Sequence, residues 1–344
     1  MEDSPYRFAP MSLQDAEAWA ELTNHLAEVD GTEEFYEAED LAEELEDPRL
    51  DPRKDTLAVW FGNQVVGFGT VRVPANPGHQ DGRVSVWLDG GVHAEHRRRG
   101  LGTRIMDFLE ARGAELKEVR HPGTDWYFAT GGGREGSSAR AFHQRRGYQV
   151  ARYFHLMSRE LTGQDAELTE QVRLGDGLSI RAPRPEDEQA VLAAHTAAFV
   201  DHWGSAAPDP EVWHQRWTAR SNRFAESRIV VDENGSIAGA GQVLAYSLCG
   251  QWVDGEIYVN LVGTVPEARG RGLGSAALAH TVAAAADSGK YSTIDLDVDT
   301  ESLTGATRLY ERLGFTVKHT TAAMRRYPSQ PAEQASRPGS PAHE

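Results

Sequence analysis

Arg269-Gly270-Arg271-Gly272-Leu273-Gly274-Ser275 follows an apolar run, Ile257 to Val265, and opens an alanine-rich run, Ala276 to Ala286. A β-type run, a glycine-rich corner and a helix-forming run predict strand, loop and helix in succession. At such a corner the first helical N–H groups lack intrahelical partners and the helix dipole adds partial positive charge. Glycine lets a ligand approach that backbone closely, so the chemistry on offer is phosphate binding. No Lys-Ser or Lys-Thr pair follows the last glycine, and the strict GxGxxG spacing is absent, so this is neither of the common nucleotide loops. The pattern is Arg-x-x-Gly-x-Gly.

The pattern occurs twice. Arg97-Arg98-Arg99-Gly100-Leu101-Gly102 repeats it and is followed by helically spaced Ile105, Phe108, Leu109 and Leu116. Upstream, Val65-Val66-Gly67-Phe68-Gly69 matches Ile237-Ala238-Gly239-Ala240-Gly241 at the same offset as the two loops. Shared spacing across two landmarks predicts a duplicated chain. Each half also ends on a similar segment: Arg308-Leu309-Tyr310-Glu311-Arg312-Leu313-Gly314-Phe315 in the second, Phe142-His143-Gln144-Arg145-Arg146-Gly147-Tyr148 in the first.

Loop, spacing and closing segment together resemble the GNAT acetyltransferase superfamily, over nearly the whole chain apart from its tail. In that family the loop follows the fourth strand, opens the third helix and holds the pyrophosphate of acetyl-CoA. The resemblance implies two fused α/β (α+β) domains, each a mixed, mostly antiparallel twisted sheet flanked by helices, as in tandem members. It implies acetyl-CoA as co-substrate and no metal. The implied cofactor-binding residues are Val262, Gly263 and Thr264 at the strand end, Arg269, Gly270, Arg271, Gly272, Leu273, Gly274 and Ser275 in the loop, and Arg97, Arg98, Arg99, Gly100, Leu101 and Gly102 in the first copy. Gly255-Glu256-Ile257-Tyr258-Val259 is similar to the corresponding strand of two-domain members.

Acetyl transfer from a thioester to an amine needs a base for the ammonium proton and an acid for the departing thiolate. For a lysine-like amine of pKa ~10.4, presenting the free base at pH 7 costs about 4–5 kcal/mol. The resemblance puts Tyr310 near the cofactor sulfur, and a phenol of pKa ~10 is protonated at neutral pH and able to donate. His143 stands at the matching place in the first half and departs from the family pattern, so catalysis is expected only in the second. Glu256, Tyr258 and Asn260 alternate and so share one strand face. Glu256 is the carboxylate on it: either the base, or a charge at a solvated strand end with water relaying the proton.

Asp295, Asp297 and Asp299 alternate with Ile294, Leu296 and Val298, which puts three carboxylates on the polar face of one strand. They read as a solvated face or as a wall attracting a cationic acceptor. Asp201-His202-Trp203-Gly204 joins two helices, where the family often lines its acceptor pocket, though a loop Trp packed on the core is the plainer reading. His93, His96, His202 and His214 are scattered without zinc spacing. Cys249 ends an apolar strand and reads as buried rather than nucleophilic.

Positioning these groups takes two ordinary domains, which 344 residues allow. We expect a first domain at 1–162, a linker at 163–176, a catalytic domain at 177–328 and a disordered Pro/Ser/Ala/Glu-rich tail at 329–344. Helices are expected over Ala16 to Val29, Glu33 to Asp47, Pro185 to Val200 and Glu211 to Thr218. Hairpins are expected at Gly62-Asn63 and Asn234-Gly235, with strands at Ile237 to Ser247 and Gly255 to Val265. A net charge of −17 argues against a nucleic-acid footprint, and the single cysteine excludes an internal disulfide. With neither a signal peptide nor a membrane-length apolar run, the expectation is a cytoplasmic monomer or homodimer acting on a small-molecule amine, without nucleic acid or membrane partners. An acyl-CoA sensor without turnover, or a protein N-terminal or lysine acetyltransferase, are the competing readings.

Overall fold

The computed structural model describes residues 4–170, 174–302 and 305–328. In the first half, β1 (Tyr6–Ala9) is followed by α1 (Ala16–Asp30), α2 (Ala38–Leu45) and α3 (Pro52–Asp55). Then come β2 (Thr56–Phe61), β3 (Gln64–Arg72), β4 (Val84–Val92), α4 (Leu101–Arg120), β5 (Trp126–Arg134), α5 (Ser138–Arg145) and β6 (Gln149–Glu160). A short helix, α6 (Glu167–Glu170), lies between the halves. The second half repeats the plan: β7 (Leu178–Arg181), α7 (Glu188–Ala198), α8 (Pro210–Thr218), β8 (Arg228–Asp232), β9 (Gln242–Gly250), β10 (Glu256–Thr264), α9 (Leu273–Ser288), β11 (Thr293–Asp299), α10 (Ala306–Arg312) and β12 (Thr316–Arg326). The tail lies outside the described residues.

The sheets of the two halves are continuous. Twelve strands run in the order β1-β2-β3-β4-β5-β12-β6-β11-β10-β9-β8-β7, antiparallel except for β4 with β5 and β10 with β11. At the centre the halves exchange their last strands: β12 lies between β5 and β6, and β6 pairs with β11. The cores follow the exchange. Met324 of β12 is fully buried among Leu109, Phe128 and Tyr148 of the first half, while Met157 of β6 is fully buried among Ile294, Leu296 and Phe315 of the second.

Two expected elements differ. The second helix begins at Ala38, because Glu37 N–H donates to Asp40 Oδ2 at 2.9 Å in a capping box, and Glu33 has a positive φ of 64°. Asn24 holds the intervening loop by bonding both the N–H and the C=O of Tyr36. Residues Ile237 to Gly241 form no strand. They wrap the buried Asp232 carboxylate, which accepts N–H groups from Ser236, Ile237 and Ala238 at 2.7–3.0 Å. Their match to Val65–Gly69, which lies within β3, therefore has no structural counterpart; the duplication rests on the loops and the topology.

Candidate active site

The two glycine-rich corners follow one backbone path. In the second half Gly270 and Gly272 have φ of 74° and 76°; in the first, Arg98 and Gly100 have 63° and 79°. A non-glycine residue in this region is uncommon, so Arg98 adopts the path despite its side chain. No side chain caps α4 or α9, which leaves their first N–H groups open to a ligand. The leading arginines act otherwise. Arg269 donates to Asp201 at 2.9 Å and to the Ala198 carbonyl at 3.0 Å, and Arg97 donates to Asp30 at 2.6 and 2.9 Å and to the Val92 carbonyl. Each ties its loop to the end of the first long helix of its half. Leu101 and Leu273 are buried in the cores, whereas Arg99 and Arg271 are exposed.

Beside each loop the parallel strands part. β10 and β11 pair only over Glu256–Tyr258 and Thr293–Asp295, although β10 continues to Thr264 and β11 to Asp299. β4 and β5 pair over Val84–Trp87 and Trp126–Ala129 and then separate in the same way. Each fork exposes peptide groups along a slot that ends at the loop, a geometry suited to an extended amide-bearing chain lying as an extra strand. Val262 and Thr264 lie along the diverging stretch. Gly263 has a packing reason as well, since a β-carbon there would overlap the Tyr246 hydroxyl at 2.2 Å. A register shift between Val259 and Leu261 sets Asn260 at a bulge.

Tyr310, on α10, is 8% exposed and packs against Phe315 at 6.1 Å between ring centroids. Among the described residues nothing bonds its hydroxyl, and burial pushes the phenol up to about 12. His143, its counterpart, is also buried; burial and then Arg146 push it down to about 4, and its Nδ1 has no partner. Burial thus favours its neutral form.

Glu256 is half-buried, and burial followed by the Asp295 carboxylate raises its carboxyl, while Lys318 opposes the shift. The three aspartates of β11 share a face but not an environment. Asp295 is buried, accepts from Ser158 Oγ at 2.6 Å and lies 3.7 Å from Lys318 Nζ. Asp297 accepts the Tyr258 hydroxyl at 2.7 Å, and Asp299 faces Arg152 at 3.8 Å.

Sequence reasoning missed the residues that the first half contributes. The joint between α1 and α2 reaches across to β12, where Glu33 pairs with Lys318, and to the end of β5, where it pairs with Arg134. Glu34 keeps an exposed side chain while crowded by protein around it; burial and then the carboxylates of Asp89, Asp297 and Glu44 push it up to about 7. No local pattern signals this, because Asp297 and Lys318 lie more than two hundred residues away in sequence. Cys249 is buried, and burial raises its thiol. Among the described residues no His, Cys, Asp and Glu cluster is arranged to hold a metal, and no helix is long and apolar enough to cross a membrane.

The family model "Acetyltransferase (GNAT) family" matches residues 17–148 and again 190–315. A mycothiol acetyltransferase from Arthrobacter sp. is 33% identical over 67% of this chain, the match spanning 66% of that protein. One from Salinispora tropica is 31% identical over 86% of this chain and 87% of its own length. The crystal structure of a GCN5-related N-acetyltransferase from Sphaerobacter thermophilus has the same fold, with a TM-score of 0.68, 22% identity, and coverage of 95% of this chain and 97% of that one.

Proposed function

The chain belongs to the acetyltransferase (GNAT) family, as a tandem acyltransferase with acetyl-CoA as co-substrate, and on that premise we propose that its second half acetylates the primary amine of a small, cationic molecule by direct attack in a ternary complex. One arrangement carries the reading. The open corner at Gly270–Ser275, the fork of β10 and β11 and the buried, unpartnered phenol of Tyr310 belong to the same half. In the first half the corner and fork recur, but an inert imidazole replaces the phenol.

The corner's N–H groups receive the pyrophosphate of CoA, and the slot receives its amide-bearing arm. Glu256, directly or through water, takes the ammonium proton, so that the amine lone pair attacks the thioester carbonyl. As the carbon–sulfur bond breaks, Tyr310 donates its proton to the thiolate; the second proton shed by the nitrogen returns to Tyr310 through water, and Glu256 releases the first to solvent. A phenol raised by burial stays protonated over the whole neutral range and is there to donate. Tyr258 with Asp297, and Glu34 from the other half, supply negative charge where a cationic acceptor would enter. The joint carrying Glu33 and Glu34 borders this cleft, which favours a small acceptor over a protein chain.

The test is thiol release from acetyl-CoA with a panel of cationic, neutral and anionic small amines, including the mycothiol-type acceptor that the relatives' name points to. Turnover of cationic members ahead of anionic ones is expected. CoA binding without turnover of any amine would leave a sensor, and turnover of peptides alone would make it a protein acetyltransferase.

A further inference from the structure

The joints between the first two long helices of each half both reach the other half, and they differ in chemistry. The α1–α2 joint sets Glu33 against Lys318 of β12, and the joint between α7 and α8 roofs β4 and β5 with Trp203. That roof is stitched down. His79 N–H donates to the Ser205 carbonyl at 2.8 Å, Asn76 Nδ2 to the Ala207 carbonyl at 3.0 Å, and Gln80 Nε2 to the Asp201 carbonyl at 2.8 Å. The roof's Trp203 is thereby fixed above the first half's sheet.

Beneath it lies a cavity of about 140 Å³, walled by Trp87 of β4, Tyr127 of β5, Phe154 of β6 and Trp203. Arg325, from β12, projects into it. Its guanidinium carbon lies 4.0 Å from the Tyr127 ring centroid and 3.9 Å from that of Trp203, so an aromatic ring lies close to the group on two sides. Ring contacts do not use the N–H donors, which lie in the guanidinium plane. Among the described residues no carboxylate, carbonyl or hydroxyl accepts from them. Asp81, at the adjoining end of the cleft, is engaged by the Arg83 N–H at 3.0 Å. Trp87 keeps 43% of its surface exposed, so an apolar wall stands open beside the free donors.

At the matching place in the second half the residues are Tyr258, Asp295 and Asp297, and the α1–α2 joint brings Glu33 and Glu34. One cleft is acidic; the other presents Arg325 clamped between aromatic rings, with Arg152, which faces Asp299, also against the Trp203 ring. We infer that the first half holds a separate binding site for a small aromatic carboxylate, the carboxylate forked by Arg325 and the ring lying against Trp87 and Trp203. Clamped guanidinium is preorganised for two parallel hydrogen bonds to a carboxylate, and the aromatic walls reward a planar ring. The site does not depend on amine acetylation in the other half.

The experiment is calorimetric titration of the full chain with benzoate, with benzamide as the neutral isostere and benzylamine as the cation. Saturable benzoate binding is expected, with benzamide and benzylamine at least tenfold weaker. Arg325→Gln should weaken benzoate at least tenfold while amine acetylation persists, and Trp203→Ala should weaken benzoate and benzamide alike. Should Arg325→Gln fail to fold, the benzoate-to-benzamide ratio of the unaltered protein decides. Equal affinity for benzoate and benzamide, undiminished benzoate binding by Arg325→Gln, or no saturation would each overturn the site.

Discussion

A β-carbon on Gly274 would stand 2.7 Å from Oγ1 of Thr264, so the start of α9 and the end of β10 meet closer than a β-carbon tolerates without a shift. At Gly102 the nearest atom to such a carbon is 3.7 Å away, on the Phe142 ring, which is ordinary contact. Gly274→Val therefore crowds Thr264 beside the loop that receives the pyrophosphate, and overpacking of this kind costs about 1–3 kcal/mol. We expect Gly274→Val to abolish acetyl transfer and CoA binding in the second half, and Gly102→Val to leave most activity. Calorimetry with CoA would count the sites lost. Activity lost in Gly102→Val but kept in Gly274→Val would move the chemistry to the first half.

Tyr310→Phe keeps the ring against Phe315 and removes the hydroxyl, which has no bonding partner to lose. Folding and CoA affinity should change little, while kcat falls by about 10²-fold, the low end for acid assistance because a CoA thiolate leaves readily. Burial raises the phenol to about 12, which extends its protonated form upward. The kcat profile should consequently show no Tyr310 limb below that value. His143→Phe should leave kcat and its profile unchanged. Full kcat in Tyr310→Phe would reduce Tyr310 to a packing residue.

A base acts deprotonated, so raising its pKa moves the low-pH limb of kcat upward. Glu256 is raised by burial and by Asp295, which places this limb above the ordinary carboxylate value of ~4.3. Glu256→Gln should lower kcat and remove the limb. If Glu34→Gln removes it instead, the base belongs to the first half.

The loops and the helix that carries Tyr310 were legible because they are local: each is a short stretch of glycine corner, alanine run or closing helix. Most strands were legible from their apolar alternation, and the hairpin at Gly62-Asn63 from its turn residues. What escaped depends on contacts between halves. β6 and β12 are similar in β-forming character, and nothing within either says which half it will join. Glu34, Lys318, Trp203 and Arg325 acquire their roles only once those strands have crossed. The aspartates of β11 show the same limit. Alternation put them on one face, but Ser158 and Lys318, which quench Asp295, come from the exchanged strands.

With Asp295 and Asp299 facing cations, steering of an acceptor falls to Asp297 and the Glu34 cluster. Attraction at long range is screened over a Debye length of ~8 Å at physiological ionic strength. For a cationic amine, kcat/KM should fall as salt rises while kcat changes much less, and Asp297→Asn should lower kcat/KM several-fold and flatten the salt dependence. An unchanged ratio across salt, or faster turnover of anionic amines, would count against a cationic acceptor.

The exchange of β6 and β12 makes each half depend on the other, although the loops suggest two autonomous domains. Residues 1–162 alone would lack β12 and β11, leaving β5 with an unpaired edge, β6 with no partner on either side, and a void where Met324 packs. Loss of a buried Met side chain alone costs about 2–5 kcal/mol, and unpaired edges invite association. We expect residues 1–162 expressed alone to aggregate or to melt without cooperativity. Coexpressed with residues 163–344, they should form a stable one-to-one complex that turns over. In the intact chain, Met324→Ala should destabilise the first half's core although the residue belongs to the second, which hydrogen exchange at β4 and β5 would register. A monomeric, cooperatively melting 1–162 fragment would mean that β6 folds back beside β5 in place of β12, and that the halves are separable domains.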